Sequence, residues 1–272
     1  MAIVKALSYN IHGWLTPDNE PNIALVAEVI ASSGADLVGL NEVFHPYPTT
    51  DGPALELIAR KLGMAHAFGP TIAADPRSRG GLPYGNALLS RWPILAHAAH
   101  HLPPMTDYGQ RGLLETRVAP PDAPPFTIYV IHLDHRHEEL RVQEWTAAMT
   151  WLIRDRSRPH LVMGDFNALS PADYADPTAL ARITAVQAER GWAPPAFQLM
   201  TQVAKAGYLD AFVTGGSGPA ETLPSSQPDR RIDYILYPAS WQGVRVACRR
   251  WDAYPAPLAS DHLPVLAEFD TA

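Results

Sequence analysis

Six apolar runs in this chain each lead to residues able to bind a cation or move a proton. Asn10 closes Ala6-Leu7-Ser8-Tyr9, and Glu42 closes Leu37-Val38-Gly39-Leu40-Asn41. His132 ends Ile128-Tyr129-Val130-Ile131, and Asp165 and Asn167 end Leu161-Val162-Met163-Gly164-Asp165-Phe166-Asn167. Asp233 is embedded in Arg231-Ile232-Asp233-Tyr234-Ile235-Leu236, while Asp261 and His262 precede Leu263-Pro264-Val265-Leu266. One polar residue at a strand end is ordinary turn chemistry. Six together point to a common crevice, because strand ends converge in layered α/β folds.

Carboxylates and amides with few soft competitors favour Mg²⁺ or Mn²⁺ over zinc. Mg²⁺ typically takes one or two carboxylates plus water and substrate phosphate, an economy that Glu42 with Asn10 satisfies. Asp233 and His262 form a candidate proton-transfer pair. His132 and Asn167 are donors suited to charge developing on an in-line phosphoryl centre.

The elements that must hold these residues are legible from periodicity. Strands are expected near 3–9, 36–42, 86–90, 112–118, 126–133, 160–165, 231–237, 243–249 and 263–269. Helices are expected at 21–33, 53–62, 138–154, 177–190 and 196–206. The clearest is 138–154, where Trp145, Ala148, Met149, Leu152 and Ile153 make one apolar stripe. Strands alternate with helices early and then run with hairpin spacing through 84–133, which predicts packed mixed sheets flanked by helices.

The chain has 272 residues, 47% of them hydrophobic, enough for a packed core. Its 27 prolines punctuate short runs, which fits many brief elements joined by stiff loops. No linker or repeat divides it, so one domain over 1–272 is expected. With 21 basic and 28 acidic residues the net charge is −7, which argues against binding nucleic acid through a bulk basic surface. The single cysteine excludes an internal disulfide and a cysteine zinc cage. No signal-peptide pattern or membrane-length apolar run is evident, so a cytoplasmic monomer without a transmembrane segment is expected.

The same segments resemble the endonuclease/exonuclease/phosphatase superfamily, which includes DNase I-like enzymes. The matching strings are Ser8-Tyr9-Asn10-Ile11, Leu40-Asn41-Glu42-Val43, Tyr84-Gly85-Asn86-Ala87, Arg111-Gly112-Leu113-Leu114 and His132-Leu133-Asp134-His135. Gly164-Asp165-Phe166-Asn167-Ala168, Arg231-Ile232-Asp233-Tyr234-Ile235 and Ser260-Asp261-His262-Leu263-Pro264-Val265 complete the family order. The resemblance implies an α/β fold, a four-layer α/β/β/α sandwich with two packed mixed sheets. It implies metal-assisted, in-line attack of water on a phosphoester, with Mg²⁺ or Mn²⁺ as cofactor. Glu42 would be the principal metal ligand, with Asn10 and Asp261 nearby. Asp233 would pair with His262, Asp165 and Asn167 would orient water and hold the phosphate, and His132 would contact phosphate. Asn86 and Arg111 would line the cleft floor and bind substrate. Either His262 or Asp165 is a candidate general base.

Asn41 stands where the family commonly has glutamine. His132 aligns the chain with the DNase I, sphingomyelinase and inositol-polyphosphate phosphatase branches rather than exonuclease III-like enzymes. Residues 171–206 read as a helical insertion able to shape substrate choice. The run His132-Leu133-Asp134-His135-Arg136-His137 lacks the His-x-His-x-Asp-His order of metallo-β-lactamase-like hydrolases. No Gly-x-Ser-x-Gly elbow or phosphate-cradling Gly-x-x-x-x-Gly-Lys-Ser/Thr loop is present. A phosphodiesterase or phosphatase acting on a small molecule or lipid head group fits the charge better than a nuclease. An inactive binding protein of the same fold is disfavoured because the central residues are all present. Arg77, Arg79, Arg91 and Arg111 are candidates for an anion-attracting rim.

Overall fold

The structure, a computed structural model, describes residues 3–75, 80–106, 109–121, 123–174, 177–192 and 194–270. Arg77 and Arg79 lie outside the described residues. The first strands are β1 (Val4–Asn10), β2 (Leu37–Phe44), β3 (Pro48–Thr49), β4 (Gly52–Pro53), β5 (Ala65–Ile72) and β6 (Tyr84–Ser90). There follow β7 (Ile94–Thr106), β8 (Gly109–Val118), β9 (Phe126–His132) and β10 (His160–Asp165). The last are β11 (Tyr208–Asp210), β12 (Asp233–Pro238), β13 (Arg245–Arg250) and β14 (Val265–Asp270). The helices are α1 (Ile23–Ser33), α2 (Ala54–Leu62), α3 (Glu138–Leu152) and α4 (Pro177–Glu189). After them come α5 (Gln198–Lys205), α6 (Ala211–Gly215) and α7 (Ala256–Ala259).

Two six-stranded sheets, ordered β13-β14-β1-β2-β6-β5 and β11-β12-β10-β9-β8-β7, pack face to face. Both are mixed: β1 runs parallel to β2 and β9 parallel to β10, and the remaining neighbours are antiparallel. Alternation along each strand builds the layers. Ala6, Leu37 and Leu88 meet Val130, Leu161 and Met163 between the sheets. Leu7, Tyr9 and Leu40 face outward beneath α1, α2 and α7, while Tyr129, Ile131 and Val162 face outward beneath α3 and α5. Each fully buried aliphatic side chain of this kind contributes roughly 1.5–3 kcal/mol. Gly39 is a point of close approach between the sheets: a methyl there would lie 2.7 Å from Met163 Sδ. The four-layer expectation is the observed architecture.

Within the two large sheets, the strands absent from the sequence reading, β5, β7 and β11, each occupy an edge, and the short β3–β4 pair was also absent from it. Ala-His-Ala-Phe-Gly-Pro and Ala-Ala-His-His-Leu-Pro-Pro have weak strand propensity, and an edge tolerates proline because one side needs no ladder partner. Helix α3 stops at Leu152 and a 3₁₀ turn, Ile153–Asp155, follows it. Ile153, counted in the apolar stripe, is therefore 49% exposed. Within 171–206, α5 supplies Leu199, Met200 and Val203 to the outer core of the second sheet. Ile183 of α4 packs on Leu169 and Ile232. Both helices are built into the fold.

Candidate active site

Topology brings the polar termini to one edge. The parallel pairs place Asn10 beside Asn41 and Asp165 beside His132. Antiparallel β12 begins with Asp233 opposite Asp165. Strand β14 begins opposite Ser8, so the preceding Asp261 and His262 reach the same edge. Between Leu40 and Val43 the β2–β6 register slips, and Glu42 takes φ +60°. That bulge re-aims the Glu42 side chain from the sheet. Asn167 is also left-handed, at φ +50°. Left-handed backbone at a non-glycine residue persists where the surroundings over-determine it, and here it occurs at two site residues.

Asp165 is the hub. Its Oδ2 accepts from Asn10 Nδ2 at 3.1 Å and lies 3.6 Å from His132 Nε2 and 3.8 Å from His262 Nε2. Its Oδ1 accepts the Asn167 backbone N–H at 2.9 Å. Asn10 Nδ2 also donates to Glu42 Oε1 at 3.2 Å. His262 Nδ1 lies 2.9 Å from Asp233 Oδ2, which further accepts from Thr222 Oγ1 at 2.6 Å. Burial pushes the Asp165 carboxyl up to about 7, and the charge of Asp233 adds to it against the pull of His262. Burial opposes the His262 imidazolium, but Asp233, with Asp165 and Asp261 behind it, overcomes this and raises it well above the ordinary histidine value.

Arg111 Nη1 lies 3.0 and 3.2 Å from the ring nitrogens of His132, and its Nη2 donates to His135 Nδ1 at 2.9 Å. These three line one flank of the site. Asn86 departs from the expectation of substrate contact. It is buried, and its amide donates to the carbonyls of Gly112 and Val130 while its Oδ1 accepts from Asn41. Both sheets need those groups bonded, so Asn86 lies beneath the cleft rather than in it. Asn41 completes this bridge by accepting the Asp165 N–H at 2.8 Å and donating to the Ile131 carbonyl.

A hard divalent cation fits oxygen donors, which Glu42 and Asp261 supply as partly exposed carboxylates. Asn10 differs from the ligand expectation in one respect: its Oδ1 accepts from His12 N at 3.1 Å and its NH₂ faces the carboxylates. Two carboxylates in one small space demand a donor, and the amide meets that demand. Asp165, Asp233 and His262 are also close enough to form an alternative cluster. There Asp233 Oδ1 is buried with no hydrogen-bond partner among the described residues, while Oδ2 holds the His262 bond. Glu42 and Asp261 take no part in that bond.

Sequence reasoning did not single out several residues that fix these groups. Thr222 holds Asp233, and Ser260 Oγ donates to the Asn10 carbonyl at 2.8 Å. Asn22 ties the carbonyls of Ile11, Leu15 and Ala259 together. Arg231 is buried between Asp173 and Asp210, so the first residue of Arg-Ile-Asp-Tyr-Ile clamps the loop after β10 to β11. A buried asparagine or threonine between motifs carries no periodicity by which to find it.

Beneath the loop of His132 and His135, fully buried Glu144 accepts the Asp134 N–H at 2.7 Å. Burial raises its carboxyl from 4.5 to about 8. The folded protein therefore keeps a proton that the unfolded chain releases, and stability falls as pH rises between those values, by at most about 1.4 kcal/mol per unit. Glu144→Gln retains the acceptor and removes the titration. Denaturant melts are expected to favour the variant progressively from pH 5 to pH 8. A difference that does not change with pH would contradict this.

A four-layer sandwich with this constellation at one sheet edge defines the DNase I-like class. The chain belongs to the Endonuclease/Exonuclease/phosphatase family, whose model matches residues 7–262. Members of that family are divalent-metal-dependent hydrolases of phosphoesters. Solved structures agree at the level of fold. An endonuclease/exonuclease/phosphatase from Beutenbergia cavernae is 21% identical with a TM-score of 0.71, covering 99% of this chain and 72% of its own. The human Nocturnin catalytic domain is 19% identical at 0.70, covering 98% and 94%. The mannosyl-6-phosphatase of Bacteroides thetaiotaomicron is 17% identical at 0.71, covering 98% and 99%. No curated protein matches the chain. No helix among the described residues is long and apolar enough to cross a membrane.

Proposed function

We propose that the chain hydrolyses small phosphoesters by in-line attack of water on phosphorus, with Mg²⁺ or Mn²⁺ held by Glu42 and Asp261. The carrying observation is the convergence of Asn10, His132, Asn167 and His262 on the single carboxylate of Asp165. Asp165 is the acceptor for the proton of the attacking water, its orientation fixed through Asn167 N and Asn10. His262 is held by Asp233 with Nε2 turned toward Asp165, and it places a donor against the phosphoryl oxygens. His132, backed by Arg111, supplies a second donor on the opposite flank. The bound cation would supply charge neutralisation at the phosphate and a lower pKa for water.

The net charge of −7 favours a small substrate over a polyanion. The test is a metal-supplemented comparison of hexose phosphates, lipid phosphodiesters, single-stranded DNA, duplex DNA and RNA. Turnover is expected on the small esters; preferential cleavage of a polynucleotide would overturn the small-substrate reading.

A further inference from the structure

At the end of the sheets opposite the reaction centre the sandwich has a separate hollow, with a volume of about 320 Å³. Phe126 on its wall opens β9 and His132 closes that strand, so at about 3.3 Å per residue the two places lie roughly 20 Å apart. The hollow lies where the core between the sheets comes to its end. Val4, Trp92, Phe126 and Trp241 pack against that core and are only partly buried. Trp92 rests on Phe126 at 6.0 Å and Trp241 stacks on Phe269 at 5.5 Å, so each indole is seated on a neighbouring ring. Prolines at 120, 121, 124, 125 and 159 share the wall. Their fixed φ stiffens it, which lowers the ordering cost of binding.

The charges around the hollow leave one cation over. Asp36 on the lining accepts the Lys5 N–H at 3.0 Å and faces Arg91 at 3.9 Å. Asp155 accepts the Tyr129 O–H at 3.0 Å and faces Arg158 at 3.8 Å. In the groove that adjoins the hollow, Glu115 pairs with Arg154 at 3.1 Å and with His100 at 2.8 Å. Arg117 lines both and has no carboxylate partner among the described residues. The volume is about twice the ~150 Å³ cavity that takes one benzene, which suits two fused aromatic rings. One unpaired guanidinium beside an apolar hollow complements a single carboxylate, to which it can donate two hydrogen bonds. Asp36 and Asp155 on the same wall repel a second negative charge, so a phosphate is disfavoured there.

We infer that this end of the sandwich is a second ligand site, for a two-ring aromatic monoanion whose rings lie against Trp92 and Trp241 and whose carboxylate pairs with Arg117. The inference stands apart from the phosphoester chemistry, since the hollow shares no residue with the reaction centre. The probe is 2-naphthoate, with 2-naphthalenemethanol as its neutral counterpart, each titrated calorimetrically into the full chain. Saturable one-to-one binding of 2-naphthoate is expected, unchanged by Asp165→Asn and by EDTA. Arg117→Gln should weaken 2-naphthoate about tenfold and leave 2-naphthalenemethanol unaffected. Trp92→Ala should weaken both compounds to a similar degree. Ala123→Trp, at a bend outside the strands, fills the hollow and should abolish binding of both while Tm stays near the wild-type value. Failure of 2-naphthoate to bind the wild type would overturn the inference, as would equal losses for both compounds in Arg117→Gln. Binding that disappears with Asp165→Asn or on chelation would place the ligand at the reaction centre and overturn it too. So would a dimer that Ala123→Trp dissociates, because a second copy of the chain would then be the occupant.

Discussion

Asp165→Asn is expected to lower kcat/KM on a small phosphoester by about a thousandfold, within the span for removing a positioned general base. The side chain is buried and touches or approaches Asn10, His132, Asn167 and His262. An amide preserves the shape but cannot accept the proton from water. The fold should survive, since the native carboxyl is already pushed up by burial and the amide can still accept the Asn167 N–H. Single-turnover assays alongside thermal melts measure both quantities. Turnover near the wild-type level in a folded Asp165→Asn protein would remove Asp165 from the mechanism.

The second large effect concerns Glu42. Glu42→Gln replaces a charged oxygen donor by a neutral one at the residue that the β2 bulge turns out of the sheet. Mg²⁺ is held by few protein carboxylates, so losing one should cost on the order of a hundredfold in activity at fixed metal. The loss should be accompanied by a higher metal requirement, whereas Asp165→Asn should leave that requirement nearly unchanged. Metal titration of both variants separates the two roles. An identical metal dependence in wild type and Glu42→Gln would place the cation elsewhere, with Asp165, Asp233 and His262 the next candidates.

Particular residues show what could be read from the chain alone. Asn10, Glu42, His132 and Asp165 were legible because each closes an apolar run, and strand order then places those runs' ends on one edge. The central strands β1, β2, β9 and β10 were equally legible, being buried on both faces for most of their length. The edge strands β5 and β7 were not, because they are not required to be apolar or free of proline. Asn86 and Asn41 show a different blind spot. Both stand inside site motifs, yet their amides are consumed in joining the two sheets, which only the register reveals. The packing of Ile183 against Leu169 and Ile232 is a long-range consequence of the fold.

The central claim is that a divalent cation and the carboxylates at this sheet edge together hydrolyse a phosphoester. Its most direct measurement is hydrolysis of bis-p-nitrophenyl phosphate and p-nitrophenyl phosphate by protein stripped with EDTA, then resupplied with Mg²⁺ or Mn²⁺. The account predicts that hydrolysis vanishes on stripping and returns with either metal in the wild type. Glu42→Gln and Asp165→Asn should not recover at the same metal concentration. Hydrolysis that persists through chelation would contradict it.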